Sequence, residues 1–321
     1  MKFIDLFAGI GGFRIALERN NGECVYSVEW DKYAQETYLF NYKDLPEGDI
    51  TQILETNIPD HDILCGGFPC QAFSISGKQS GFSDTRGTLF FDIARIVKEK
   101  NPKVIFLENV KNIYRHDNGR TLKTIKNTLD ELGYTVFIEL LNSSNFGVPQ
   151  NRQRIFFVCF RKDLKIDDFN FPIPDYIDVC LEDILEDDSI TGDYIIQRKD
   201  ISLKQKQESS TEDLFNKRLL KPIRVGTISK GGQGERIYSP KGHAITLSAY
   251  GGGVAGKTGA YLVNGKIRQL SPRECLRVQG FPETFAFPDT ISKSQIYKMC
   301  GNSVSVPVVE KVYQSILSYI S

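Results

Sequence analysis

The first 160 residues alternate between short runs rich in β-branched and aromatic side chains and longer stretches of helical periodicity, the pattern of βαβ units and a parallel sheet. Strands are predicted at 2–7, 24–28, 62–65, 103–107, 135–141 and 154–160, and helices at 12–20, 31–42, 88–100 and 119–132. Thr88 is placed to cap the third helix, whose apolar face would be Leu89, Ile93, Ile96 and Val97. The expected fold is α/β, a doubly wound, mostly parallel sheet. The pattern fades after the proline-bearing FPIPDY at 171–176, and an acidic stretch containing Gln and Ser continues to 213. Short strands between the glycine clusters KGGQG (230–234) and YGGGVAG (250–256) then imply a smaller β-rich domain. The segment VPVVEKVYQSILSYI at 306–320 has the spacing of an amphipathic helix that can pack back on the first domain. The expected divisions are 1–180, 181–299 and 300–321.

A length of 321 residues suits one large domain or two ordinary ones, and 40% hydrophobic with 25% charged residues excludes disordered and collagen-like classes. No apolar run approaches the roughly 20 residues of a membrane helix, and Asp5 interrupts the N-terminal stretch where a signal peptide needs apolar residues. A cytoplasmic protein with no membrane partner is expected. Seven scattered cysteines without a C-x-x-C pair, and three scattered histidines, suggest neither a disulfide framework nor a metal site. The 40 basic and 40 acidic residues balance over the whole chain, but not locally. Residues 175–215 hold 12 acidic and 4 basic side chains, whereas 217–274 hold 11 basic and 2 acidic. Such a basic segment fits a nucleic-acid partner.

The turn DLFAGIGG at 5–12 would free backbone amides at a helix start, and Glu29 follows Gly9 by twenty residues at the tip of the next strand. A glycine turn and such a carboxylate can hold a nucleoside cofactor; equally, they can be a tight turn and a surface acid. Arg14 stands where a dinucleotide fingerprint has its third glycine, which disfavours a pyrophosphate binder. Trp30 and Phe7 are candidates to stack on an adenine or face a sulfonium cation, with core packing as the alternative. Asp49 in GDI can accept from an adenine amino group or simply close a turn. Cys70, between Pro69 and Gln71 in GGFPCQ just beyond a strand, reads as a nucleophile, because structural cysteines such as Cys65 and Cys159 sit inside apolar strands. The polar stretch 74–87 has the composition of a lid. Glu108 in ENV falls at the next strand tip, and Arg152 and Arg154 in QNRQR, two apart, can clamp an anion, orient Glu108 or remain solvated.

Taken in order, DLFAGIGG, EW (29–30), GDI, GGFPCQ, ENV, QNRQR, RQLSPRECLRVQGFP (268–282) and GNSVSVPVV (301–309) resemble the cytosine-5 DNA methyltransferases over essentially the whole chain. The segments KGGQGERIY (230–238) and TLSAYGGGVAGKTGAYLVNGK (246–266) narrow the likeness to bacterial modification methylases of the HhaI type. The resemblance implies a class I S-adenosylmethionine-dependent methyltransferase fold with a smaller β-rich target-recognition domain. It further implies S-adenosylmethionine as cofactor, double-stranded DNA as partner, no metal, and action as a monomer. It implies that Cys70 attacks cytosine C6 while Glu108, Arg152 and Arg154 assist at the ring. Phe7, Gly9, Gly11, Glu29, Trp30, Asp49, Pro69, Leu89, Asn302 and Ser303 would bind the cofactor. Ser76, Gln233, Arg236, Thr246 and Gly253 would meet DNA, with Lys230 and Lys257 on phosphates, and the implied target is the inner cytosine of GCGC. A tRNA cytosine-5 methyltransferase shares the catalytic motifs, a nicotinamide dehydrogenase would explain only the glycine turn and Glu29, and a silent DNA-binding module would leave Cys70 and Glu108 idle.

Overall fold

The computed structural model describes residues 1–69, 89–175, 177–204 and 221–320. The chain forms two compact units, one of Met1–Leu141, Gln153–Ile173 and Val308–Ser321, the other of Asn142–Arg152 and Pro174–Pro307. In the first unit β1 (Lys2–Leu6), α1 (Gly12–Glu18), β2 (Glu23–Val28), α2 (Lys32–Tyr42), β3 (Ile63–Gly67), α3 (Leu89–Lys100), β4 (Val104–Val110), α4 (Arg120–Glu131), β5 (Tyr134–Asn142) and β6 (Gln153–Arg161) follow in order. They build a six-stranded sheet ordered β2-β1-β3-β4-β6-β5. β1 runs parallel to β2 and β3, and β3 to β4, whereas β6 is antiparallel to β4. The expected strands and helices are all present, and the sheet is the doubly wound, mostly parallel one.

The central strands are apolar on both faces because helices cover both, which is why they read as continuous hydrophobic runs rather than alternating ones. Ile4, Leu6, Leu64, Ile105, Leu107 and Phe157 are fully buried. Asp31, three residues beyond β2, caps α2, its carboxylate accepting from the amides of Tyr33 and Ala34. On α3 the buried face is Phe90, Ile93, Ala94, Ile96 and Val97, with Leu89 only half-buried. The face is therefore rotated toward Phe90, whose ring packs 5.7 Å from Phe68. Thr88, the expected cap, lies outside the described residues.

The second unit holds β7 (Ile201–Leu203), β8 (Ile223–Ile228), β9 (Arg236–Ser239), β10 (Ala260–Val263) and β11 (Lys266–Arg268) in the order β11-β10-β9-β8-β7, followed by α5 (Pro272–Arg277) and α6 (Lys293–Asn302). One apolar cluster of this unit is Ile228, Ile237, Ala255, Ala260 and Ile267; Leu247, Leu270, Leu276, Phe281 and Phe285 are buried as well, and the interior also holds polar pairs. Arg268 and Glu274 form a bidentate ion pair at 2.7 and 2.8 Å with both side chains buried. Glu274 also accepts from the amides of Ser271 and Glu186, so its charge is met from four donors. The last helix, α7 (Val306–Ile320), belongs to the first unit from Val308 onward and buries Val308, Val309, Val312, Tyr313 and Ile316 along one stripe.

One strand residue breaks the apolar rule. Asp5, in the middle of β1, is fully buried and neither carboxyl oxygen makes a full hydrogen bond. Burial pushes its pKa up to about 8 against the pull of the Arg14 guanidinium, with Glu29 and Glu18 adding to the rise. Tyr42 and Tyr38 of α2, Cys24 of β2 and Cys65 of β3 lie close enough to feel its charge. An unfolded chain releases this proton near pH 3.8, whereas the folded one keeps it to about pH 8, so folding stability falls as pH rises through that window. Asp5→Asn should lose less stability than the wild type between about pH 5 and pH 8, read as urea midpoints. Parallel pH profiles for the two proteins would mean that the buried carboxyl is already ionised.

Candidate active site

Parallel strands deliver their carboxyl ends to one edge of the sheet, and in doubly wound folds ligands bind there. The chain leaves β1 through Phe7–Gly11, with Phe7 and Gly9 in left-handed conformations. Gly11 is the N-cap of α1, its amide bonded to the Ala8 carbonyl and its Cα against the Tyr42 ring. Glu29, directly after β2, is buried; one oxygen accepts from the Gly9 amide and the other from Asp31, each at 2.8 Å. Burial raises its pKa and the two amides lower it. A carboxylate oxygen accepts more than one hydrogen bond, so Glu29 retains capacity for a ribose hydroxyl. A Cβ at Gly9 would meet nothing within 4 Å, which leaves room over the turn. Trp30 is 79% exposed beside Glu29, available to cover a planar ligand. Glu47 bridges back onto β2 at Val28, bringing Asp49 near the same tip. Asp49 uses one oxygen to cap a short turn through the Thr51 amide and hydroxyl. These residues fit a nucleoside-bearing cofactor.

Two strands further on, Glu108 on β4 lies in register with Gly67, the last residue of β3. Arg154 on β6 sits opposite Val110, hence diagonal to Glu108 on the same face, and its Nε is 2.9 Å from the Glu108 carboxylate. The pair is only 15% and 10% exposed, which holds the carboxylate in one orientation. Asn109 turns to the other face and donates to the Phe68 carbonyl at 2.9 Å, tying β4 to the residue before Pro69. Pro69 is exposed; Cys70, Ser76 and the expected lid at 74–87 lie outside the described residues. Leu89 opens α3.

The remaining candidates are in the second unit. Arg152 precedes β6, and its guanidinium donates to the carbonyls of Leu247, Gly301 and Ser303. Asn302, exposed, ends α6, and buried Ser303 is its C-cap. Gln233 opens a short turn and is exposed. Arg236 begins β9; its Nε is buried and unpartnered among the described residues. Thr246 donates to the Asn151 carbonyl at 2.6 Å. Gly253, with φ +88°, lies 3.1 Å by its virtual Cβ from the Gly234 carbonyl, and a Cβ at Gly234 would strike the Gly252 carbonyl. The two glycine loops thus pack backbone on backbone, joined by the Ala255 amide donating to Gly234 at 3.1 Å. The Lys257 ammonium donates to the Ser294 carbonyl and hydroxyl at 3.0 and 2.9 Å. The basic surplus of 217–274 overstates the free charge, because Arg268 is buried in its ion pair; Lys221, Arg224, Lys230 and Lys241 remain exposed.

Sequence reasoning missed Asn109 and Gln150, both buried amides. Their signal is a polar residue neighbouring a candidate catalytic one in a segment otherwise destined for burial. Among the described residues no cluster of three or more His, Cys, Asp or Glu can hold a metal ion, and no helix is long and apolar enough to cross a membrane.

A family profile described as C-5 cytosine-specific DNA methylase matches residues 1–318. Type II methyltransferase M.HhaI of Haemophilus parahaemolyticus is 56% identical over 322 residues, covering 100% of this chain and 95% of that protein. Type II methyltransferase M.HpaII of Haemophilus parainfluenzae is 45% identical, covering 98% and 88%. Among solved structures, the S. pombe Dnmt2 methyltransferase superposes with a TM-score of 0.73 at 20% identity, covering 100% of this chain and 99% of that one. A putative DNA modification methyltransferase encoded within an E. coli prophage gives 0.74 at 22% identity, covering 100% and 99%. The fold is therefore the class I methyltransferase fold. With the profile and these relatives spanning nearly the full length, the chain belongs to the C-5 cytosine-specific DNA methylase family and is a DNA (cytosine-5)-methyltransferase.

Proposed function

We propose that the protein methylates C5 of a cytosine turned out of duplex DNA, as the modification half of a restriction–modification pair in the cytoplasm, working as a monomer. The carrying observation is the Glu108–Arg154 pair, fixed one strand from the segment that leads through Pro69 to Cys70. In this reading residues 1–180 bind cofactor and perform the chemistry, 181–299 recognise the target, and 300–321 return to the first domain. S-adenosylmethionine supplies the methyl group as an electrophile. Phe7, Gly9, Gly11, Glu29, Trp30, Asp49, Pro69, Leu89, Asn302 and Ser303 are the residues assigned to hold it.

Cytosine C5 is a poor nucleophile until something adds to C6. The Cys70 thiolate forms that bond, and the electron pair released from the C5–C6 double bond is drawn toward C5 and the ring carbonyl. Glu108, as the carboxylic acid, donates a hydrogen bond to N3, where part of the displaced electron pair collects, and so favours this polarised ring, with Arg154 keeping its carboxyl group in place and Arg152 assisting. After C5 is methylated, its proton leaves, the C6–S bond breaks and Cys70 is regenerated. Cys70→Ala should abolish methyl transfer while retaining cofactor binding. A duplex carrying 5-fluorocytosine, which cannot lose its C5 substituent as a proton, should become covalently attached to the wild type alone. Turnover by the alanine variant would refute this mechanism.

Extruding a base costs a few kcal/mol and leaves an orphaned guanine. Gln233, exposed, is assigned to fill the gap from one side and Ser76 from the other. Gln233→Ala should weaken binding to an intact duplex more than to one with an abasic target, as measured by titration; equal losses would remove Gln233 from this role.

The implied site is GCGC, methylated at the inner cytosine. Arg236 is assigned to guanine, since bidentate arginine–guanine pairing is worth about 1–3 kcal/mol of discrimination. Thr246 and Gly253 are assigned to the DNA as well. Bisulfite mapping of methylated DNA should show Arg236→Ala relaxed about ten-fold or more at one guanine. Lys230→Ala should weaken all sequences alike. Methylation mapped to another motif would overturn the assignment of GCGC.

A further inference from the structure

The segment 149–152 carries an alternation that reaches beyond the role proposed for Arg152 at the ring. Gln150 and Arg152 are two apart in extended chain, both buried, at 0% and 2% exposure. Gln150 accepts from the Leu247 amide at 3.2 Å, and Arg152 donates to the Leu247 carbonyl at 3.3 Å. One residue of the 244–248 segment is thereby gripped at both its backbone groups. The far sides of the same side chains hold a second segment. Arg152 donates to the carbonyls of Gly301 and Ser303, at the C-terminal end of α6 where carbonyls lack helical partners. Gln150 donates to Val278 and to the Gln279 side chain, whose own amide donates to the Cys300 carbonyl at 2.9 Å. The backbone reinforces this: Ala244 donates to Pro149, and Asn151 donates to Ala244.

An independent observation places the same two segments in direct contact. A Cβ at Gly301 would overlap the Ala249 amide nitrogen, so residues 248–249 lie against α6 with no room for a side chain between them. Hydrogen bonds from one side and steric contact from the other leave the 246–249 segment and the 301–303 turn no freedom to move separately. A buried polar network with all these groups engaged has one arrangement, since shifting either segment strands buried donors.

We propose that Gln150 and Arg152 are positioning residues that lock the target-recognition segment 246–249 to the cofactor-contacting turn 301–303, so that binding of DNA and of cofactor reinforce each other. The proposal rests on the assignment of Asn302 and Ser303 to the cofactor and of Thr246 to DNA. Holding one segment in its bound arrangement removes part of the ordering cost of the other.

The test is a binding measurement on the full chain, using calorimetry with the demethylated cofactor S-adenosylhomocysteine and a GCGC duplex. In the wild type, saturating duplex should tighten cofactor binding by about five-fold or more. Gln150→Met, which keeps the volume and loses the hydrogen bonds, should bring this ratio below about two-fold. Val263→Ala, a core substitution in β10, should lower stability and leave the ratio unchanged. If Gln150→Met does not melt cooperatively, Arg152→Lys, which keeps the charge without the planar three-carbonyl grasp, serves in its place and should lower the ratio likewise. A folded variant with the full wild-type ratio, or a wild type with no tightening, overturns the proposal. A wild type that binds both ligands cooperatively yet never methylates DNA would instead count against the proposed function.

Discussion

A parallel strand has to be followed by a crossover that returns the chain to the starting edge, so every loop leaving a carboxyl end collects on the same side of the sheet. The chemistry available to the first unit follows from that constraint. β1 contributes the glycine turn, β2 contributes Glu29 and Trp30, and β4 contributes Glu108, although these lie far apart along the chain. β1 and β4 beneath them are buried along almost their whole length, and such close-packed interiors yield little. Glu29 is held there by the amides of Gly9 and Asp31, and Glu108 by Arg154.

The second unit combines its buried apolar residues with buried polar groups that satisfy one another: Arg268 with Glu274, Gln150 with Gln279, Arg152 with the end of α6. Removing one member of such a set leaves a buried charge or donor unpaired, which costs more than the pair contributes. Where side chains would interfere, the unit dispenses with them, as at Gly234 against Gly252 and at Gly301 against Ala249.

Legibility in the sequence tracks the range of the interactions. Strand and helix spans in the first unit depend on local periodicity and are readable to within two residues except at the end of β4, which runs on to Val110, so that Glu108 sits inside the strand rather than at its tip. The rotation of α3 toward Phe90 is not readable, since it is decided by the Phe68 ring, distant in sequence. Arg268 illustrates a second failure. Counted as charge it suggests an interface, yet it is neutralised by Glu274, and composition carries no information about that partner. Arg152 and Arg154 looked equivalent at a spacing of two. They diverge because β6 begins between them, leaving Arg154 on the strand with Glu108 and Arg152 among the carbonyls of the second unit.

The burial of the cysteines bears on how the protein responds to thiol reagents. Burial pushes the Cys65 and Cys275 thiols well above their usual range, raises Cys159 in the same direction, and lifts Cys24 to about 12. Burial and the Asp183 carboxylate lift Cys180 to about 11, and Cys300 is buried. Alkylating agents attack the thiolate, so at neutral pH none of these five with raised values offers much to react with. An electrophilic label applied to the native protein is thus left with a field almost clear of competing sulfur, and a single incorporated adduct would be assignable by mass without first mutating the other cysteines away.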